Sequence, residues 1–156
     1  MKRRATDTGR GFTLLEVVLV MAITTVFASI ALPLYSRAAF RHQADLAARR
    51  VATDLRQAQA YARTASTSCQ VTFYATTETY ELNGVASLDG APGNYQVKLT
   101  QDPYEARIVS ADFGGSAQII FNGWGMPNSG GSVVVSVGSE QRTITVDGAT
   151  GQVAIQ

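Results

Sequence analysis

Three single side chains in this sequence could do chemistry: a carboxylate inside an apolar run, one thiol and one imidazole. Glu16 stands near the start of that run, and twenty uncharged residues separate it from Arg37. A charged residue costs about 2.5 to 3.5 kcal/mol at the centre of a membrane helix, and less near the ends. We therefore expect this carboxylate to have a function, in which a partner offsets its cost.

The thiol and the imidazole give weaker signals. Cys69 is the single cysteine, which excludes an internal disulfide, and it begins an alternating stretch typical of a strand. We interpret it as a buried structural thiol rather than a reactive one. His42 is the single histidine and lacks a carboxylate cluster beside it, so we predict a solvated side chain. The sequence therefore predicts no catalytic residue, no metal site and no cofactor.

Charge is distributed unevenly along the 156 residues, although the net charge is only +1. Residues 1–11 hold four basic residues against one acid, and residues 36–66 hold six arginines against two acids. Residues 67–156 hold three basic residues against eight acids. The order is a basic tip, an apolar run, a basic helix and an acidic body.

The apolar run is long enough to cross a bilayer. Twenty helical residues rise about 30 Å, the thickness of the hydrocarbon core. The basic tip should keep the N-terminus in the cytoplasm, although Arg37 and Arg41 on the far side weaken this bias. Two ordinary explanations remain: a secretory signal cleaved before Leu32, or a retained anchor. Neither explains why Glu16 is there.

The stretch GFTLLE at residues 11–16, after a basic leader and before an apolar helix, resembles the N-terminal signature of type IV pilins and type II secretion pseudopilins. The resemblance implies that a membrane prepilin peptidase cuts between Gly11 and Phe12 and methylates the new amino terminus of Phe12. It also implies a glutamate at the fifth mature position, which is Glu16, and a proline at the twenty-second, which is Pro33.

The same resemblance supplies a partner for Glu16. In a filament of packed apolar helices, its carboxylate would meet the charged N-terminal amine of a neighbouring subunit. Pairing removes most of the penalty of a charge in low dielectric and so favours one axial register. Pro33 lacks a backbone donor and should kink or loosen the helix there, although a proline tolerated near the membrane surface remains an alternative.

The helix is predicted to continue beyond the membrane to about residue 65. Apolar residues recur there at gaps of three and four, on one face. They are Ala44, Ala47, Val51, Leu55, Ala58 and Ala62. Arg49, Arg56 and Arg63 lie seven apart on another face, which we interpret as solvated. Because the apolar face is mostly alanine, a sheet can approach it closely.

The rest of the chain reads as short strands and turns. The predicted strands are 69–75, 79–82, 94–101, 106–110, 117–121, 132–138, 141–147 and 152–156, each rich in Val, Ile, Thr or aromatic residues. Predicted turns include Asn83-Gly84, Asp89-Gly90, Asn122-Gly123, Gly130-Gly131 and Asp147-Gly148. The fold class is therefore α+β and pilin-like, with a long N-terminal helix packed on an antiparallel sheet.

The predicted organisation has three parts. Residues 1–11 form a cleaved cytoplasmic leader, and residues 12–36 a transmembrane helix that becomes the filament core. Residues 37–156 form a periplasmic head, made of an amphipathic helix at 37–65 and a β-rich region at 67–156.

The head carries a narrower resemblance. The stretch ATDLRQAQAYARTASTSCQVTFY and the tail AQIIFNGWGMPNSGGSVVVSVGSEQRTITVDGATGQVAI resemble the minor-pilin branch that contains the GspH pseudopilin and the FimT and FimU pilins. This resemblance implies a minor pseudopilin of a type II secretion system. Its expected partners are the prepilin peptidase, other major and minor pilins or pseudopilins, and an inner-membrane assembly platform.

Three alternatives follow from other features of the head. A minor type IV pilin would share the same leader, helix and head. A DNA-binding pilin of natural transformation needs clustered Lys or Arg, but Arg142 is the one basic residue among the last 49, so no DNA-binding residue is predicted. An enzyme is not expected, because no nucleophile, histidine and acid occur at a recognisable spacing.

In the loop NGWGMPNSGG, Trp124 and Met126 either contact a partner subunit or pack on the head's own core.

Overall fold

A computed structural model describes residues 11–86 and 94–156, apart from the side chains of residues 30–34 and 86. Most of the predicted leader and the predicted turn at Asp89-Gly90 lie outside the described residues. The first element is helix α1, Leu14–Ala65. It covers both predicted helical stretches and continues through position 33. Whether Pro33 kinks the helix stays a prediction.

In the described residues, eight strands follow the helix, one for each predicted run. They are β1 Cys69–Tyr74, β2 Thr79–Ala86, β3 Asn94–Lys98, β4 Arg107–Asp112, β5 Gln118–Phe121, β6 Gly131–Val137, β7 Glu140–Val146 and β8 Val153–Ile155. The long helix followed by antiparallel strands confirms the predicted α+β, pilin-like class.

Two predicted boundaries were wrong for local reasons. Asn83-Gly84 is not a turn: both residues lie inside β2, where Gly84 has φ of 91° and the register with β3 shifts between Leu82 and Ala86. Glycine inside a strand commonly marks such a bulge. Strand β3 ends at Lys98 rather than residue 101, because the Leu99 carbonyl accepts from the Ala106 amide at 2.8 Å and closes a loop.

The strands of the described chain form two antiparallel sheets rather than the one predicted sheet. One sheet has the order β3-β2-β1-β5 and the other has the order β4-β6-β7-β8. The rings of Phe73 in β1 and Phe113 after β4 lie 5.9 Å apart, and the Glu78 carboxylate accepts from the Ile108 amide of β4. Both sheets therefore share one core.

The head's helical face is packed as the alanine-rich pattern predicts. All six predicted residues are buried, as are Ala48 and Ala52 beside them. Small side chains let strands lie close to the helix axis, so the core is completed by larger residues from the strands, including Tyr80, Phe121, Ile119 and Ile144. The prediction of a buried alanine face is confirmed.

Backbone contacts divide the chain into two compact units, Met1–Arg37 and Ala38–Gln156. The second unit contains the core and both sheets, and we refer to it as the head. Within the residues that the structure describes, none of the helices combines the length and the apolarity that a membrane crossing requires. The transmembrane role of residues 12–36 therefore stays a prediction.

Candidate functional site

The start of α1 and the residues just before it bring together two of the four predicted site residues. Phe12 and Glu16 line one shallow concavity with Val17, Val20 and Met21, and Phe12 is 80% exposed. Gly11 is exposed, and a Cβ added there would meet no atom within 4 Å. Pro33 lies 17 residues beyond Glu16 in the chain. The cleavage, methylation and register roles of these residues stay predictions.

Thr13 caps the helix, a role that our sequence reasoning missed. Its Oγ1 accepts from the amide of Glu16 at 3.2 Å, and its carbonyl accepts from the amide of Val17 at 3.2 Å. A threonine followed three residues later by glutamate is the capping-box pattern, so this signal was present in the sequence. Glu16 also places negative charge at the positive end of the helix dipole.

Apolar side chains follow Glu16 along the helix and are exposed. They are Val17, Val18, Leu19, Val20, Met21, Ile23, Val26 and Phe27. A continuous apolar surface of this kind marks a protein or membrane interaction site. In the described part of the first unit, this surface adjoins a single carboxylate, that of Glu16.

A buried polar cluster, the Asp54 cluster, joins the helix to the first sheet. Asp54 is 3% exposed, and its Oδ2 accepts from Arg50 Nε at 3.1 Å and from the Tyr80 hydroxyl at 2.5 Å. The Arg50 guanidinium also donates to the Tyr95 hydroxyl of β3 and lies over that ring. Burial raises the pKa of the Asp54 carboxyl above its ordinary value, although both donors oppose this. Burial also raises the pKa of Tyr80.

A second ionic cluster joins the helix to the β6–β7 hairpin. Arg142 Nε lies 2.6 Å from Asp45 Oδ1, and Arg41 Nε lies 3.4 Å from Glu140 Oε1. Arg41 is 64% exposed, and exposed ion pairs contribute little stability. These pairs orient the hairpin against the helix rather than form a reactive site.

Two of the arginines that we interpreted as solvated have structural partners. Arg56 donates to the Val153 carbonyl at 2.9 Å, and Arg63 Nε donates to the Trp124 carbonyl at 3.2 Å. Gln59, between them, donates to the Gly125 carbonyl at 2.8 Å. The interpretation missed that one helix face binds backbone carbonyls in the last third of the chain, although Arg56 and Arg63 stay exposed.

The sequence left two outcomes open for Trp124: the structure excludes packing on the head's own core, and contact with a partner subunit stays a prediction. Trp124 is 84% exposed, so its indole does not pack on the head's own core, and Met126 is 38% exposed. Their loop is well anchored: Asn122 Oδ1 accepts from the Trp124 amide at 3.0 Å and from the Met126 amide at 2.9 Å. An indole on a fixed loop is a candidate contact surface.

Cys69 and His42 have the ordinary environments that we predicted. Cys69 is fully buried, and burial raises the pKa of its thiol, which disfavours the reactive thiolate. His42 is exposed. Among the described residues, no group of three His, Cys, Asp or Glu side chains is placed to hold a metal ion.

Two family models match the chain. The type II transport protein GspH model matches residues 47–150, and the prokaryotic N-terminal methylation motif matches residues 9–32. No curated protein matches.

Two solved structures are similar in fold. The minor pseudopilin EpsH from the type 2 secretion system of Vibrio cholerae has a TM-score of 0.54 at 12% identity, over 73% of this chain and 96% of its own. The type IV minor pilin FimU of Pseudomonas aeruginosa has a TM-score of 0.53 at 12% identity, over 74% of this chain and 90% of its own. At this identity the likeness concerns the fold.

Proposed function

This chain belongs to the type II transport protein GspH family, and from that premise we propose that it is a minor pseudopilin subunit of a type II secretion system. A precursor inserts in the inner membrane with its head in the periplasm, and prepilin peptidase cuts it between Gly11 and Phe12. The mature subunit then enters a periplasmic pseudopilus through its apolar helix and helps to export folded proteins. It acts by assembly and not by catalysis.

One observation carries this proposal. The methylation motif at residues 9–32 and the GspH match at residues 47–150 occur in one chain, in the order that a processed filament subunit requires. The exposed apolar surface after Glu16 supports it, because such a surface needs a lipid or protein environment.

A minor type IV pilin is the second candidate, and the likeness to FimU favours it. Deletion of the gene in its native cells separates the two functions. Loss of exported proteins from the medium, with normal pili, supports secretion. Loss of pili with normal export supports the pilus role. Complementation with the wild-type chain is the control in both assays.

Processing can be tested directly at the mature amino terminus. We expect mass spectrometry of the full chain from native cells to find an N-terminal peptide that begins with methylated Phe12. Gly11→Val should abolish cleavage, and because a side chain at Gly11 has open space around it, this loss would reflect recognition by the peptidase and not misfolding. A mature terminus at Leu32 would instead establish a cleaved secretory signal and contradict the filament proposal.

DNA binding is expected to be weak. Residues 67–156 hold three basic residues against eight acids, and nonspecific DNA affinity depends on the number of phosphates that cations neutralise. A gel shift of the full chain in lipid nanodiscs should therefore detect little complex at physiological salt. Tight binding that weakens steeply with added salt would favour a transformation pilus instead.

A further inference from the structure

Trp124 is the chain's only tryptophan, and its environment is unusual for such a large apolar side chain. The indole is 84% exposed, while the residue after it, Gly125, is buried. Large aromatic side chains dominate the binding energy of protein interfaces when they fill a pocket. Because the indole stays in water, it contributes little hydrophobic free energy to the folding of the monomer. Its burial against a partner would contribute that free energy to binding.

The backbone beneath the indole is fixed by the end of helix α1. Arg63 donates to the Trp124 carbonyl and Gln59 donates to the Gly125 carbonyl. Gly125 has φ of 76°, and a Cβ there would lie 2.1 Å from Arg63 Nε, so the loop closes tightly over the arginine side chain. Because the loop is ordered before binding, little backbone entropy is lost when the indole docks.

Arg63, which donates to the Trp124 carbonyl, has no ion-pair partner among the described residues. Arg41, Arg50 and Arg142 of the head each have a carboxylate within ion-pair distance. Among the described residues, neither Arg56 nor Arg63 has one, and both donate to backbone carbonyls instead. They lie seven residues apart on one helix face, about 10 Å along the axis. The surface thus presents an indole next to exposed positive charge.

We propose that the Trp124 loop, residues 122–127, is a docking knob for the head of a different pilin-type subunit. The complementary surface is an apolar socket with at least one carboxylate at its rim, placed to pair with Arg63. The proposal rests on the proposed function, because it takes the partner from the subunits of the same filament.

Two other occupants fit the surface less well. DNA could stack a base on the indole, but two arginines beside an acidic body neutralise few phosphates. A second copy would have to offer a socket of its own. The head has a cavity of about 380 Å³ lined by Phe40, Glu105, Arg107 and Val137. Its one carboxylate, Glu105, already accepts from Gln43 at 3.1 Å and shares the rim with Arg107, so the cavity offers no net negative charge to Arg63 of the incoming knob.

The lone tryptophan reports on its own docking. The full chain would be placed in lipid nanodiscs and mixed, one at a time, with the organism's other full-length chains that carry the N-terminal methylation motif. In those other chains, tryptophan would be replaced by phenylalanine so that their own emission does not contribute. We expect one of these subunits to shift the indole emission to shorter wavelength and to protect it from acrylamide. Trp124→Ala removes the reporting indole, so its association would be measured by surface plasmon resonance, and we expect it to be weaker by roughly 30-fold, the level of an interface hot spot. Arg63→Gln should weaken it by a smaller factor.

Val109→Ala is the matched control, because Val109 is an apolar side chain 51% exposed on β4 of the same head. It should change the association less than twofold, and thermal unfolding of the Trp124→Ala chain should match that of the wild type. An emission shift with a DNA duplex or with a second copy, and none with another subunit, assigns the knob to that occupant and overturns the proposal.

The proposal and the pseudopilin function can fail separately. If wild-type chains carry methylated Phe12 and enter filaments while the indole stays accessible to acrylamide there, the docking knob is wrong and the pseudopilin function stands. If the chain is neither methylated nor found in filaments, the proposed function itself is wrong.

Discussion

Glu16→Ala should reduce the incorporation of this chain into filaments at least tenfold and leave cleavage after Gly11 and methylation of Phe12 intact. In the proposed filament, Glu16 meets the N-terminal amine of a neighbour in an apolar environment. Without the carboxylate, that amine remains charged and unpaired in low dielectric, a situation that costs several kcal/mol. Tenfold corresponds to about 1.4 kcal/mol, which allows for incomplete burial.

The structure supplies a competing explanation that the experiment must separate. Thr13 and Glu16 form a capping-box pattern, so Glu16→Ala could act by fraying the helix end. Interactions with the helix dipole contribute about 0.3 to 1 kcal/mol at exposed positions, less than the loss expected from an unpaired amine. A glutamine at this position can still complete the capping box but carries no charge.

Glu16→Gln is therefore the matched control. If charge sets the register, Gln and Ala should be equally defective, whereas a capping role predicts near-normal incorporation for Gln. The measurement is the ratio of this chain in sheared filaments to cleaved chain in membranes, by quantitative immunoblot in native cells. Normal incorporation of both variants would exclude a register role for Glu16.

The helix and the strands were predictable because their signals are local. Alternation marks β6, where Val133, Val135 and Val137 are buried, and a period of three and four residues marks the buried helix face. The division into two sheets was not predictable, because it depends on partner choice. Strand β5 pairs back with β1, whereas β4 pairs forward with β6. No local pattern distinguishes these pairings.

The candidate surfaces differ in how far sequence could find them. Residues 11–16 can be identified from the sequence, because they place a carboxylate in an apolar run. The exposure of Trp124 could not be inferred, since tryptophan in a loop packs on a core as readily as it projects, and only tertiary contacts with Arg63 and Gln59 decide this. The burial of Asp54 could have been predicted, because it follows Val51 by three residues and precedes Ala58 by four, on the apolar face.

Asp54→Ala should destabilise the head by about 3 kcal/mol, the lower end of the cost of breaking a buried ion pair, because Arg50 remains about one-third exposed. The change removes the acceptor for both Arg50 Nε and the Tyr80 hydroxyl. The Tyr80 hydroxyl then stays buried without its partner, and the helix loses this polar contact with β2. Chemical unfolding of the full chain in nanodiscs, followed by circular dichroism, measures this loss.

Asp54→Asn keeps the shape and an acceptor oxygen, so it should cost less than Asp54→Ala, and it removes the titration. Because burial raises the pKa of Asp54 in the folded state, the folded chain binds this proton more tightly than the unfolded chain does. This group's contribution to stability is therefore greatest below the ordinary pKa of 3.8 and falls as pH rises through the raised pKa. Arg50 and Tyr80, which donate to the carboxyl, keep their charge states throughout this acidic range.

Acidification from neutral pH should accordingly stabilise the wild-type chain relative to Asp54→Asn. The comparison cancels the carboxylates that the two chains share, so its slope isolates Asp54. If attraction to Arg50 outweighed the effect of burial, the slope would be the opposite. The wild type would then lose stability relative to Asp54→Asn as the carboxylate is protonated. That result would mean that the two donors outweigh burial, and that Asp54 secures the helix to the sheet through charge rather than through hydrogen bonds of the neutral acid.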